Sequence, residues 1–265
     1  TVGFDDTDIV NGASNNYVAW NWKANGAGSQ NTDGSINSTA TSANQTAGFS
    51  IVTYTGNNQA ATVGHGLGVA PDLVIVKSIG GAGSWHVYNG VTSSDSENYY
   101  MLLDATTALT NSGTGTVPWN NTRATSSVFS VGGANASTNI NNATYLAYCF
   151  ASKPGFSKIG SYTGNGSATA GPFINTGFKP AWIMFKRTST AGNSWTIFDI
   201  KRDSDNFMQN ILYANLSNAE ATGSAGYVDA LSNGFKIRAS DNFLNNGTIL
   251  YMAFAESPFK YANAR

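Results

Sequence analysis

Gly48-Phe49-Ser50-Ile51-Val52-Thr53-Tyr54-Thr55-Gly56-Asn57 returns as Gly155-Phe156-Ser157-Lys158-Ile159-Gly160-Ser161-Tyr162-Thr163-Gly164-Asn165, and this recurrence decides how the chain is divided. The copies start about 107 residues apart, so each is a small domain, not the short brick of a solenoid. The correspondence continues in order. Pro71–Lys77 answers to Pro180–Lys186, Trp85–Asn89 to Trp195–Asp199, and Tyr145–Ala151 to Tyr251–Glu256.

A partial third copy opens the chain: Val2-Gly3-Phe4 and Tyr17-Val18-Ala19-Trp20-Asn21-Trp22 run parallel to Val128-Phe129 with Tyr145–Phe150. Residues 1–23 therefore read as the closing hairpin of an upstream repeat whose beginning is missing. Residues 24–47 follow, built of Ala, Asn, Gly, Gln, Ser and Thr with Asp33 and Ile36 as exceptions. Such a stretch cannot offset its own ordering entropy by burial, and reads as a flexible linker or an arm laid on a neighbour. Repeat one spans 48–153 and repeat two 154–265. Only Ser152-Lys153-Pro154 intervenes, which predicts a stiff junction.

Within each repeat the apolar runs are short, β-branched or aromatic, and bounded by Gly, Asn and Pro, the pattern of strands in a sandwich or barrel. Strands are predicted near 49–54, 73–78, 85–89, 99–103, 128–131 and 145–151, and again near 157–162, 182–187, 195–200, 207–212, 234–237 and 249–255. Leu73–Val76 and Trp182–Phe185 are apolar without alternation, so they should be central strands covered on both faces. Single helical turns are predicted at Thr106–Leu109 and Asn218–Ala221. The fold class is all-β: two tandem β-sandwich, jelly-roll-like domains preceded by a hairpin remnant and an arm.

Charged residues make up only 11% of the 265 residues, aromatics 12%, and the formal net charge is -1. A charge fraction so far below the usual quarter leaves solubility to amides and hydroxyls, which suits an extracellular or virion-surface protein. Without a basic run there is no nucleic-acid partner to expect, and no apolar stretch approaches the roughly 18 residues of a membrane helix. The single cysteine, Cys149, excludes an intrachain disulfide and a Cys/His metal cage, and its strand context makes it a small core residue.

Tyr17–Gly26, Gly64–Pro71, Gly155–Asn165 and Pro258–Arg265 together resemble the repeated C-terminal domains of uncharacterised tail-fibre and other virion-surface proteins of tailed bacteriophages, common among phages of marine bacteria. The resemblance covers nearly the whole chain. It implies a virion-surface structural protein, a tail-fibre or appendage segment, and no catalytic residues to carry over. Partners implied are copies of itself, as a homotrimer by analogy with fibres, other virion proteins, and host-surface glycan or protein. A capsid decoration or head-fibre protein, a glycan-degrading spike and a non-viral secreted adhesin are the alternatives.

No cofactor or metal motif is present. Asp5-Asp6-Thr7-Asp8 lacks the spacing and glycine of a calcium loop, and His65, flanked by Gly64 and Gly66 with no helix following, reads as a turn residue. A glycan-cleaving enzyme would need paired carboxylates. Asp95, Glu97, Asp104, Asp199, Asp203, Asp205 and Glu220 are the candidates, but they do not recur at equivalent positions. The recurring Trp85 and Trp195 read as fold anchors. Trp119, in Val117-Pro118-Trp119-Asn120-Asn121, is either a lid over the core or an exposed ring for sugar stacking with amides beside it. Trp119, Asn120 and His86 are accordingly the candidate carbohydrate-binding residues.

Overall fold

The computed structural model describes residues 12–113, 117–133, 137–203, 206–223 and 227–258. Repeat one contains β1 (Ala40–Asn44), β2 (Phe49–Thr55), β3 (Ala61–Gly64), β4 (Leu73–Ser78), β5 (His86–Asn89), β6 (Tyr99–Leu102), β7 (Thr110–Asn111), β8 (Val128–Val131) and β9 (Thr144–Phe150). Repeat two contains β10 (Ser157–Asn165), β11 (Phe173–Asn175), β12 (Pro180–Arg187), β13 (Thr196–Asp199), β14 (Phe207–Met208), β15 (Asn210–Tyr213), β16 (Ala221–Thr222), β17 (Val228–Leu231), β18 (Gly234–Ile237) and β19 (Asn246–Ala255). The predicted helical turns at 106–109 and 218–221 do not form. Short turns occur instead at Ser96–Asn98 and at α1 (Asn242–Asn245).

The architecture is all-β and sandwich-like. A large sheet in order β1-β2-β9-β4-β5-β6-β7 packs one face on the β3-β8 ribbon, burying Val52, Tyr54, Val74, Val76, Phe129 and Cys149. In repeat two the large sheet β10-β19-β12-β13-β15-β16 covers the small sheet β11-β18-β17-β14 over Phe185, Phe198, Phe235 and Tyr251. The remaining faces of the two large sheets then bury each other. Leu73, Ile75, Val87, Met101 and Phe150 meet Trp182, Met184, Trp195, Ile197, Leu250 and Met252 in a third core. This is why β4 and β12 are apolar on both faces, as their unbroken runs predict.

The two sheets present equivalent faces to one another, and Phe150 and Phe254, both at the ends of the strands next to β4 and β12, touch with ring centroids 6.3 Å apart. Ladder registers establish the equivalence: Ile75 pairs with Tyr148 and Leu73 with Phe150, while Met184 pairs with Met252 and Trp182 with Phe254. The match of Tyr145 with Tyr251 expected from sequence is thus slipped by two residues, a shift that keeps every side chain on its face. The signature glycines that open the repeats, Gly48 and Gly155, both adopt positive φ (65° and 71°), and a Cβ on Gly48 would meet the Ala151 carbonyl at 2.2 Å.

Residues 24–47 are an arm laid on a neighbour, not a free linker. β1 pairs antiparallel with β2, Ser29 bridges Thr41, and Ile36 is buried in a parallel bridge to Val63. Of the expected closing hairpin, Val2–Phe4 lies outside the described residues, and Tyr17–Trp22 is extended but pairs with no strand among the described residues.

Each repeat is pinned by one buried asparagine. Asn139 donates to Asn57 Oδ1 (3.1 Å) and to the Gln59 and Gly132 carbonyls (2.5 and 2.9 Å), while Asn57 N–H donates to its Oδ1 (2.9 Å). Asn245 does the same, donating to the Ser167 and Ala239 carbonyls and accepting from Asn165 N–H. Removing either amide strands buried groups, at about 1–3 kcal/mol for each one left unpaired. Asn139→Ala and Asn245→Ala should each lower unfolding free energy in urea by about 3 kcal/mol. Asn218→Ala, at an exposed position, should change it by less than about 0.5 kcal/mol.

Candidate functional site

The seam between the two large sheets is closed on one side and open at another. On the closed side Trp195, 1% exposed, donates from Nε1 to the Leu102 carbonyl (2.8 Å) across the seam. Beside it Leu109 N–H donates to Thr188 O and Gly192 N–H to Thr106 O, both at 2.9 Å. The loop carrying Trp195 is held by buried Lys186, whose Nζ donates to the Asn193 carbonyl (2.5 Å) and lies 5.9 Å from the Trp195 ring centroid. Burial lowers the Lys186 ammonium to about 8. Lys77 makes the equivalent bond to Gly83 in repeat one. Trp85, the repeat-one counterpart of Trp195, is only half-buried and stacks parallel on Tyr148 at 6.4 Å, facing a cavity instead of a sealed wall.

That cavity, about 490 Å³, continues beneath residues 20–22 into an open cleft of about 600 Å³. Trp20, Trp22, Phe49 and Trp182 line both, and Phe156 and Phe254 complete the aromatic wall of the cleft. Its remaining lining includes Asn21, Lys23, Asn44 and Thr46, supplying amide, ammonium and hydroxyl groups. The extended segment 17–22 acts as a strap across the seam. Trp22 packs edge-on against Trp182 (5.3 Å), Phe254 (5.5 Å) and Phe150 (6.3 Å), and Trp20 against Trp182 (6.2 Å).

The strap is held at Trp20 and at its exit. Trp20 Nε1 donates to Asp199 Oδ2 (3.2 Å), and the Arg202 guanidinium lies 5.9 Å from the Trp20 ring centroid. Asn44 Nδ2 donates to the Lys23 carbonyl (3.1 Å), tying the strap's exit to β1. Trp182 itself is buried, yet its indole N–H has no hydrogen-bond acceptor among the described residues. An unpaired buried donor costs about 1–3 kcal/mol, so a ligand oxygen placed against this indole would recover part of that cost.

None of the three sequence-predicted site residues lines this cleft. Trp119 is 1% exposed in the repeat-one core, edge-on to Tyr88 at 5.7 Å, so its ring cannot stack on a sugar: it is the lid. Asn120 occupies the adjoining turn with φ 51°. His86 is buried in β5, its Nδ1 3.2 Å from the Ser84 carbonyl and its ring 5.7 Å from that of Tyr100. Sequence reading missed Trp20, Trp22 and Trp182 as a site. Two tryptophans at alternate positions of a strand-like segment with no sheet of its own were the available signal.

Two of the carboxylates, Asp199 and Glu220, meet on one guanidinium, and the other described ones are taken up by local partners. Asp199 caps its own turn through Lys201 and Arg202 N–H and pairs with Arg202 Nε at 2.7 Å; Glu220 pairs with the same guanidinium. Asp104 accepts from Trp85 N–H (3.2 Å), Asp95 from Ser93, and Asp203 from Asn210 N–H (3.2 Å), while Glu97 lies 4.0 Å from Arg123. Asp205 and Asp5–Asp8 fall outside the described residues. Among the described residues no group of three His, Cys, Asp or Glu could hold a metal ion.

The family profile of a domain of unknown function, DUF7483, matches residues 1–258, a span that includes the strap, the arm and both repeats. The chain belongs to the DUF7483 family. No curated protein and no solved structure matches it.

His65 is a fully buried turn pin. Leu67 N–H donates to its Nδ1 (3.2 Å) and Nε2 faces the Thr125 carbonyl (3.1 Å), an arrangement that fixes the neutral Nε2–H tautomer. Burial pulls both His65 and His86 below the ordinary value of 6.5, partly offset by their carbonyl partners. The unfolded chain therefore takes up protons first: stability is full above about pH 6.5 and is lost as pH falls toward the folded values. The urea midpoint should drop between pH 7 and pH 5. The drop should shrink in a His65→Gln/His86→Gln variant, whose amides do not titrate.

Proposed function

We propose that this chain is a non-enzymatic structural protein of the tailed-phage virion surface, a fibre or appendage segment that attaches to host-surface glycan through the seam cleft. The observation that carries the reading is the cleft itself. Its walls are the rings of Trp20, Trp22, Phe49, Phe156, Trp182 and Phe254, and its polar groups come from Asn21, Asn44, Thr46 and Lys23. Aromatic faces take the C–H faces of pyranose rings, and amides and hydroxyls satisfy sugar hydroxyls that would otherwise lose their water.

Among the described residues the cleft lining includes no carboxylate, which fits binding without the acid pair that glycosidic cleavage uses. The low charge of the chain and its resemblance to virion-surface repeats support the placement on a particle. There, weak single-site contacts add through multivalency: many copies on one particle convert modest affinity into durable attachment.

The test is a binding screen of the full chain against bacterial O-antigen and capsular oligosaccharides, read by tryptophan fluorescence and confirmed by calorimetry. Binding should perturb the fluorescence and release no reducing ends. Trp22→Ala should weaken it about 10- to 30-fold, in the range of a hot-spot truncation, with thermal unfolding checked in parallel, whereas Trp119→Phe should leave affinity unchanged. Absence of any glycan ligand, equal binding by Trp22→Ala, or reducing-end release would each defeat the reading.

A further inference from the structure

The two repeats differ at one sheet edge. In repeat one the outer side of β2 is sealed by β1, with Ala40 opposite Thr53 and Thr39 N–H donating to the Thr53 carbonyl (2.7 Å). The equivalent edge in repeat two is β10, since Tyr54 and Tyr162 occupy matching positions, each donating its hydroxyl 2.6 Å to a carbonyl in the turn before the last strand, Thr138 O and Leu244 O. No arm precedes β10, because only Ser152–Pro154 separates it from the end of repeat one. That short junction satisfies the first part of the edge: Ser157 exchanges backbone bonds with Lys153 (2.9 and 3.1 Å), and Ile159 N–H donates to Ser152 Oγ (2.9 Å).

Beyond Ile159 nothing among the described residues pairs with the outer side of β10. Ser161 and Thr163 continue the outward-facing parity of Ser157 and Ile159, and both are exposed. Every other edge of the two large sheets is short or covered. β7 and β16 have two residues each, and β1 is flanked by the Ser29–Thr41 bridge. Edges are usually blunted by charge, proline or brevity, yet β10 has nine residues, and Ile159–Gly166 carries no charge and no proline.

We infer that β10 is a self-association edge: two copies join by antiparallel β10–β10 pairing about a two-fold axis at Tyr162, merging their six-stranded sheets into one. Among the described residues of the two large sheets β10 alone offers a long unpaired run, so the pairing is isologous and closes as a dimer. With Ser161 opposite the partner's Thr163, both outward amides on each copy are satisfied. Lys158 then falls opposite the partner's Gly166, so no like charges meet.

Sedimentation equilibrium on the full chain across a concentration series tests this. The native chain should show a monomer–dimer equilibrium. Ser161→Lys/Thr163→Lys, which places four ammonium groups across the pairing, should be monomeric with an unchanged far-UV circular dichroism spectrum. Mixing it with Ser161→Glu/Thr163→Glu should restore a dimer, a recovery that a merely structural role would not produce. Should the lysine variant fail to fold, Ser161→Pro, which removes an edge donor unused in the monomer, should give the same loss of dimer. A chain monomeric at every concentration, a trimer, or a dimer indifferent to these substitutions would overturn the inference.

Discussion

The burial of one large sheet against the other is the constraint from which the rest of the molecule follows. A sheet that covers a small sheet on one side is an ordinary sandwich and can leave its other face to water. Here the second faces carry Leu73, Ile75, Val87, Phe150, Trp182, Met184 and Ile197, and all are buried by the opposing repeat. Separated, each repeat would expose a contiguous apolar surface of a kind that soluble monomers rarely show. The junction Ser152–Pro154 is correspondingly short and bonded, with Ser152 N–H donating to Asp72 Oδ2 at 2.7 Å. The repeats behave as two halves of one body, and the cleft exists only because the halves meet.

Sequence duplication does not yield structural symmetry at that seam. Trp195 is sealed by a carbonyl of the other repeat, whereas Trp85 borders a cavity. Asn89 and Asp199 hold equivalent ladder positions, and each caps the turn that follows it. Only the carboxylate of Asp199 also gathers Arg202 and the Trp20 indole. The strap crosses the seam where that extra charge stands. The copies thus differ at the seam and where the strap lands, as they also do in their small sheets, two-stranded in one repeat and four-stranded in the other.

Strands whose burial demands an apolar run were legible: 73–78, 128–131 and 234–237 are found with the predicted bounds. Those missed include very short strands, strands of little apolar content, and the four-residue β3 and β17, whose runs are broken by Thr62 and Asp229. β1 reads Ala-Thr-Ser-Ala-Asn, and is a strand because β2 offers it an edge, not because of its own side chains. The single strand expected over 207–212 is two, β14 and β15, which turn into different sheets on either side of Gln209. Tyr17–Trp22 has strand composition but forms no strand among the described residues, and its tryptophans go to the seam. Asn139 and Asn245 could not be picked from a sequence full of turn asparagines, because their role depends on enclosure that no local pattern records. Trp119 was ambiguous for the same reason: Asn neighbours suggest exposure, while packing on Tyr88 determines the outcome.

A binding cleft between two repeats gains something that a loop-borne site lacks. Its walls are contributed by β2, β12, β19 and the strap, three of which belong to hydrogen-bonded sheets with buried cores on both sides. The ordering cost of such walls is met on folding and not at the moment of binding, which is the condition under which a modest contact area gives useful affinity. The strap differs, since it forms no strand among the described residues, where ring contacts, the Arg202 guanidinium, the Trp20 indole bond and the Asn44 bond to the Lys23 carbonyl hold it. Because Trp20, Asn21 and Trp22 line both the outer cleft and the inner cavity, a ligand that spans the two must contact the strap as well as the sheets.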